Sequence, residues 1–87
     1  MTAQDLIDNA NPKALVLEPR ATFDDALIGV TADGRLCYSE DKILAVLQDK
    51  DGMSYEEALD YYQFNTVRAL EYAKASVSPI ILTHTSL

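Results

Sequence analysis

The chain has 87 residues, 48% of them hydrophobic and 24% charged, and these values are typical of one small globular domain with a thin core. Seven basic and fourteen acidic side chains give a formal net charge of −7, which argues against direct binding to nucleic acid or docking on an anionic membrane. No apolar stretch approaches the roughly 20 residues that a membrane-spanning helix needs. Because the N-terminus also lacks the pattern of a secretory signal and the one cysteine can form no internal disulfide, we expect a cytoplasmic protein.

The N-terminal residues carry little pattern. Residues 1–12 are polar and interrupted by "NANP", so we expect a poorly ordered segment there, followed by a single α+β domain over residues 13–87. The apolar run "KALVLEP", residues 13–19, ends at a proline. It predicts either a short edge strand or an extended segment that crosses the core.

A β-hairpin is the clearest prediction. In "ALIGVTADGRLCYS", Asp33-Gly34 is the dipeptide that favours a two-residue type I′ loop. That loop would pair Ala32 with Arg35, Thr31 with Leu36, Val30 with Cys37, and Gly29 with Tyr38. One face of the hairpin would then carry Ile28, Val30 and Cys37, and the other Leu27, Leu36 and Tyr38. Since both faces are apolar, we expect helices on one and either residues 13–17 or a second protein chain on the other.

Two helices and a strand follow. Ser39 is a good N-cap for a helix that runs to about Lys50 and stops at Gly52. The sequence "SYEE" is a capping box that begins a second helix, from Tyr55 to about Leu70. The apolar face of this second helix is predicted to be Ala58, Leu59, Tyr62, Ala69 and Leu70. Residues 80–82 predict a strand beside the hairpin, buried on both sides, which completes a ββααβ order.

The residues offer no pattern that points to catalysis or to a metal. The acidic stretch around Gly52 does not have the ligand spacing of a calcium-binding loop in either register. Glu56 and Asp60 share a helix face, where two carboxylates are normally solvated. A catalytic pair of Cys37 and His84 is conceivable, but the cysteine is predicted to face inward. We therefore predict no catalytic residue, no metal and no cofactor.

Aromatic residues on the second helix are the best candidates for a binding site. Tyr61, Phe64 and Arg68 lie on a sector beside the apolar stripe. This sector either widens the core face, with Phe64 packed against the first helix or the sheet, or forms an interaction patch of the residue types that anchor interfaces. The candidate residues for a partner or ligand are Tyr61, Phe64, Asn65, Thr66, Arg68 and Tyr72.

Several stretches of the amino-acid sequence also resemble a known protein family. The runs "FDDALIGVTADGRLCYS", "DKILAVLQDKDGMSYEEALDYYQFNTVRAL" and "PIIL" are similar to small proteins encoded by bacteriophages and prophages, over roughly residues 22–83. The resemblance rests on Phe23, Tyr38, Gly52, Met53, Glu57, Ala58, Asn65, Thr66, Arg68 and Pro79. The segment "EYAKASVS" departs from the family pattern, which has a glycine-containing turn there. The resemblance implies a phage or prophage origin and no particular activity.

These observations lead to three hypotheses. The first is a non-enzymatic accessory protein that binds another protein, as a homodimer and with a host protein as a further partner. The second is a module that binds a small ligand or nucleotide, for instance to sequester a signal in an anti-defence role, with Asn65, Thr66 and Arg68 as its polar contacts. The third is an enzyme built on Cys37 and His84.

Overall fold

The computed structural model describes residues 2–83 and confirms the predicted α+β class. Four helices pack around a three-stranded sheet of order β1-β2-β3. The elements are α1 (Ala3–Asn9), α2 (Arg20–Phe23) with a 3₁₀ turn (Asp24–Ala26), β1 (Leu27–Val30), β2 (Leu36–Ser39), α3 (Glu40–Asp51), α4 (Tyr55–Tyr61), a π-helical segment (Tyr62–Val67), α5 (Arg68–Leu70) and β3 (Ile80–Leu82). The last three helical pieces run on without a break, and we call them together the long helix (residues 55–70).

The N-terminal segment holds a helix where the sequence predicted little order. In α1, the Thr2 hydroxyl accepts a hydrogen bond from the Asp5 amide, and the Asp5 carboxylate accepts one from the Thr2 amide. This capping box satisfies donors that the first helical turn cannot satisfy itself. Arg20 ties α1 to α2, because its Nη2 donates to the Gln4 side chain at 2.9 Å.

The hairpin forms, but its predicted register is wrong by one residue. Leu36 pairs with Val30 rather than with Thr31, and Cys37 pairs with Gly29. Only Gly34 has a positive φ in this turn, whereas a type I′ loop needs two such residues in succession. The chain instead makes a longer turn, closed by hydrogen bonds from Gly34 N to Thr31 O at 2.9 Å and from Thr31 N to Arg35 O at 2.7 Å.

The shifted register changes which side chains share a face. A bulge between Leu27 and Gly29 brings Leu27 opposite Tyr38, so that Leu27, Leu36 and Tyr38 are all buried, as predicted. Val30, however, pairs with Leu36 and packs against the core, and is not on the face of Cys37. At the bulge Ile28 is the extra residue of β1, without a partner on β2.

The joint between β2, α3 and the long helix follows the prediction closely. The Ser39 hydroxyl caps α3, and Gly52 ends that helix in the left-handed conformation with φ of 68°. At the next helix the Ser54 hydroxyl accepts from the Glu57 amide at 3.1 Å, and the Glu57 carboxylate accepts from the Ser54 amide at 3.0 Å. The two hydrogen bonds between Ser54 and Glu57 stabilise the first turn of the long helix, and they lower the pKa of Glu57.

The third strand joins the sheet, but it is less buried than predicted. β3 runs parallel to β2 and pairs Ile80 with Cys37 and Ile81 with Tyr38. Ile80 and Ile81 are half-buried and Leu82 is exposed, so the strand is not covered on both sides. It forms one edge of the sheet, and an edge strand has a neighbour on only one side.

Residues 13–17 form an extended segment rather than a strand. The Leu15 amide donates to the carbonyl of Val77 at 2.9 Å, and the Leu17 amide donates to the Tyr38 hydroxyl at 3.0 Å. The segment therefore crosses the core side of the sheet, as one of the two alternatives predicted. Its side chain Leu17 joins the main core, which consists of Leu17, Phe23, Ala26, Leu27, Leu36, Tyr38, Ile43, Leu44, Leu47, Ala58 and Tyr62.

Candidate functional site

The centre of the long helix is a π-helical segment, Tyr62–Val67. A π-helix has more residues per turn than an α-helix, so it shifts the positions that face the core after it. Ala58, Tyr62 and Thr66 are buried at steps of four residues. Beyond the segment Leu70 is partly buried and packs against the core, as predicted, whereas Ala69 is exposed although it was predicted to lie on the apolar face.

The same segment turns large apolar side chains towards solvent. Phe64 is 66% exposed and therefore does not pack against α3 or the sheet, which was one of the two predicted arrangements. Val67 and Tyr61 are also exposed, and Tyr72 is 84% exposed just beyond the helix. Surface patches of this kind, in a domain that has few apolar residues to spare, are typical of interaction sites.

Part of this surface forms a shallow groove of about 370 Å³, which we call the outer groove. It is lined by Gln63, Phe64, Val67, Arg68 and Glu71. The groove thus combines two apolar side chains with one cation and one anion. Within residues 2–83, neither Arg68 nor Glu71 takes part in an ion pair of this chain.

A second groove, which we call the inner groove, contains two of the candidate residues, Asn65 and Thr66. It has a volume of about 230 Å³ and lies between the extended segment and the long helix. Its lining residues are Leu15, Val16, Leu17, Glu18, Asn65, Thr66, Ala69 and Leu70. Asn65 and Thr66 therefore share one groove while Arg68 lines the other. The Asn65 side-chain amide donates to the Tyr61 carbonyl at 3.2 Å, and Thr66 is buried.

Tyr62 connects the long helix to the start of α3. Its side chain is buried, and burial together with the neighbouring Glu40 carboxylate raises the pKa of its hydroxyl well above the usual value. A tyrosine in that environment stays protonated across the physiological range. Tyr62 therefore contributes to packing, and it is not one of the groups exposed for binding.

Of the residues considered for catalysis, the structure describes Cys37, Glu56 and Asp60. Burial raises the pKa of the Cys37 thiol, and a thiol with a raised pKa is a weak nucleophile near neutral pH. His84 lies outside the described residues. Glu56 and Asp60 are exposed, as expected for solvated carboxylates. Over residues 2–83 there is no group of three or more metal-ligating side chains placed to hold an ion.

Three members of the outer groove were missed by reasoning from sequence: Gln63, Val67 and Glu71. Their spacing of four residues, parallel to that of Phe64 and Arg68, was a signal that could have identified them. The π-helical segment has no such signal, because its hydrogen-bond pattern depends on how the helix packs.

Comparisons of this chain with protein-family models, with curated proteins and with solved structures give no match. Among residues 2–83, none of the helices has the length and apolar character needed to cross a lipid bilayer.

Proposed function

We propose that this chain is a non-enzymatic interaction protein that binds a protein partner through the outer face of its long helix. The observation that carries the proposal is the exposure of Phe64, 66%, which lines a groove with Arg68, and of Tyr72, 84%, just beyond the end of the helix. Phenylalanine, tyrosine and arginine contribute much of the binding free energy at protein interfaces. A chain of 87 residues gains stability by burying such side chains, so leaving them exposed favours a role in recognition.

We further propose a phage or prophage origin and action in the cytoplasm of a bacterial host. The support for this is the resemblance of the amino-acid sequence to small phage and prophage proteins over roughly residues 22–83, above all in the "GMSYEEA" joint and the "FNT" segment. An acidic chain of net charge −7 is suited to a protein partner with a basic surface rather than to nucleic acid.

The test is affinity capture from bacterial host cells followed by binding measurements on the purified partner. A variant that carries Phe64→Ser and Tyr72→Ser is expected to lose the partner, with a dissociation constant raised about a hundredfold, since two anchoring side chains contribute about 1–2 kcal/mol each. The matched control is Tyr55→Ser, because Tyr55 is 56% exposed but lies at the other end of the helix. A partner that binds both variants equally well would contradict the proposed surface.

A second candidate function is favoured by the inner groove. The groove has a volume of about 230 Å³ and a mainly apolar lining, to which Glu18 and Asn65 add polar groups. These properties suit a small organic ligand. Native mass spectrometry of gently purified protein tests this, since a retained ligand adds mass. Leu70→Phe, which fills the groove, should remove that mass, whereas Phe64→Ser should leave it in place.

A further inference from the structure

The inner groove runs along the backbone of the extended segment. One of its walls consists of four consecutive residues of that segment and its end, residues 15–18. Side chains of an extended chain alternate between two faces, so a groove that touches four residues in succession lies along an edge of the chain. The N–H and C=O groups of an extended chain point out of its edges. The backbone of this segment therefore lines the groove.

The two edges of the extended segment differ in their hydrogen bonds. The amides of Leu15 and Leu17 donate to the Val77 carbonyl and the Tyr38 hydroxyl, and neither acceptor residue lines the groove. Successive N–H groups of an extended chain point to opposite edges, so the groove lies along the edge that carries the Val16 amide. Within residues 2–83, neither the amide nor the carbonyl of Val16 takes part in a backbone–backbone hydrogen bond. This edge is therefore open to pairing with another extended chain.

The side chains of the groove favour an occupant of positive charge. Ala69 and Leu70 of the long helix contribute apolar surface to the opposite wall. The Asn65 Nδ2 donates to the Tyr61 carbonyl, so the acceptor that this side chain can offer to an occupant is its Oδ1. Glu18 adds a carboxylate, and none of the described residues that line the groove is a lysine or an arginine. Hydrogen-bond donors and cations complement such a lining.

We propose that the inner groove binds an extended segment of a partner protein, which pairs its backbone with Val16 and places a basic side chain near Glu18. When a strand is added to a free edge, backbone hydrogen bonds supply affinity and pockets for alternate side chains supply specificity. A second copy of this chain, with its net charge of −7, suits the groove less well. The inference goes beyond the proposed function, because it assigns to the chain a second contact site that does not include Phe64 or Arg68.

The experiment uses peptides selected from a random library on the wild-type protein, with the Ala69→Arg protein for counter-selection. Ala69 is exposed, so arginine there adds bulk and positive charge to the groove without disturbing the core. The selected peptides should carry basic residues beside apolar ones. Glu18→Lys should weaken their binding about tenfold or more. The matched control is Glu56→Lys, the same charge change at an exposed residue outside the groove, which should weaken it less than about threefold. Circular dichroism confirms that each variant is folded.

A second measurement separates backbone pairing from contacts of side chains alone. Methylation of every second backbone nitrogen removes the N–H groups on one edge of a selected peptide, and methylation of the remaining nitrogens removes those on the other edge. Only one of the two methylated peptides should lose about tenfold or more in affinity. The bound peptide should also slow amide hydrogen exchange at Val16. Exchange at Leu15 and Leu17 should change less, because their amides are already hydrogen-bonded.

Any one of four results would overturn the inference: no selected peptide that discriminates against Ala69→Arg, equal binding to the wild-type and Glu18→Lys proteins, equal binding of the two methylated peptides, or unchanged exchange at Val16. A small molecule retained in native mass spectrometry, without any selected peptide, would assign the groove to that ligand instead. The proposed function fails differently, because it depends on Phe64 and Tyr72. If the Glu18→Lys protein still captures the host protein, the proposed function holds whatever the inner groove binds.

Discussion

The two ends of the molecule contrast in how they use large side chains. At the joint of β2, α3 and the start of the long helix, Tyr38, Leu36 and Leu47 are completely buried, and both helices are capped by serines. At the far end of the long helix, Phe64, Val67 and Tyr72 are exposed although they are just as apolar. Because burial of apolar side chains drives folding, we expect the first region to contribute most of the stability of the fold and the second little.

The contrast is informative because the two regions belong to one continuous helix. Ala58 and Tyr62 face the core, whereas Phe64 and Arg68, within and just after the π-helical segment, are exposed. π-Helical turns occur frequently at functional sites. The helix thus packs on the core at one end and carries exposed apolar side chains, which form the proposed binding surface, at the other.

The largest difference between the regions should appear when each loses one apolar side chain. Leu47→Ala leaves a cavity in the core beneath α3 and should lower the free energy of unfolding by about 2–5 kcal/mol. Alanine favours the helix, so helix propensity does not cause the loss. Phe64→Ala should change it by less than about 0.5 kcal/mol, as is usual for exposed positions. Urea unfolding at low protein concentration, where association does not contribute, measures both; equal losses would show that the contrast is wrong.

The hairpin turn offers a second way to test the stable region. Gly34 has φ of 86°, and a Cβ there would lie 2.9 Å from the backbone nitrogen of Asn11. The same nitrogen donates to the Gly34 carbonyl at 2.9 Å, so the turn and the N-terminal segment are held together. Gly34→Ala should therefore cost about 1–3 kcal/mol of stability.

The control for this change is Gly29→Ala in β1. No atom lies within 4 Å of a Cβ at Gly29, so we expect little change in the free energy of unfolding. A Gly34→Ala protein as stable as the Gly29→Ala protein would show that the turn does not constrain the N-terminal segment.

The buried tyrosines predict how the stable region responds to alkaline pH. Burial raises the pKa of Tyr38 and, together with Glu40, that of Tyr62. Above about pH 10 the unfolded chain releases these phenolic protons while the folded chain retains them, so the free energy of unfolding should fall by about 1.4 kcal/mol per tyrosine per pH unit. Stability measured by urea unfolding should therefore be maintained below pH 10 and lost above it.

Tyr62→Phe removes one of the two groups and should make the alkaline loss shallower. Identical slopes for the Tyr62→Phe and wild-type proteins would mean that Tyr62 does not stay protonated in the folded state.

The smallest effect concerns the cap at which the long helix begins. Ser54→Ala removes the hydroxyl that accepts from the Glu57 amide and should cost about 1 kcal/mol. The Glu57 carboxylate still accepts from the backbone amide of residue 54, so the capping box is only half removed. Ser54→Asp retains a capping oxygen and should recover most of the lost stability, as thermal unfolding would show; if it does not, the hydroxyl is not acting as a cap.

Local signals in the sequence were sufficient wherever a short stretch determines its own structure. Ser39, Gly52 and Ser54 specify helix ends through backbone hydrogen bonds and a left-handed conformation that involve only near neighbours. The two central helices, the presence of the hairpin and the third strand follow from such signals and from apolar periodicity. Candidate site residues on the long helix could be named for the same reason, since side-chain spacing on a helix is regular.

What the sequence could not determine depends on contacts between distant residues. α2 and its 3₁₀ turn are held by Lys50 at the end of α3, whose Nζ donates to the Ala21 carbonyl at 2.7 Å and lies 2.8 Å from the Asp25 carboxylate. The hairpin register depends on the burial of Leu27, Leu36 and Tyr38 together, and the bulge that allows this has no residue signature of its own. In the same way, the π-helical segment lies where Tyr62 and Thr66 are buried against the rest of the chain, and such tertiary contacts leave no signature in the local sequence.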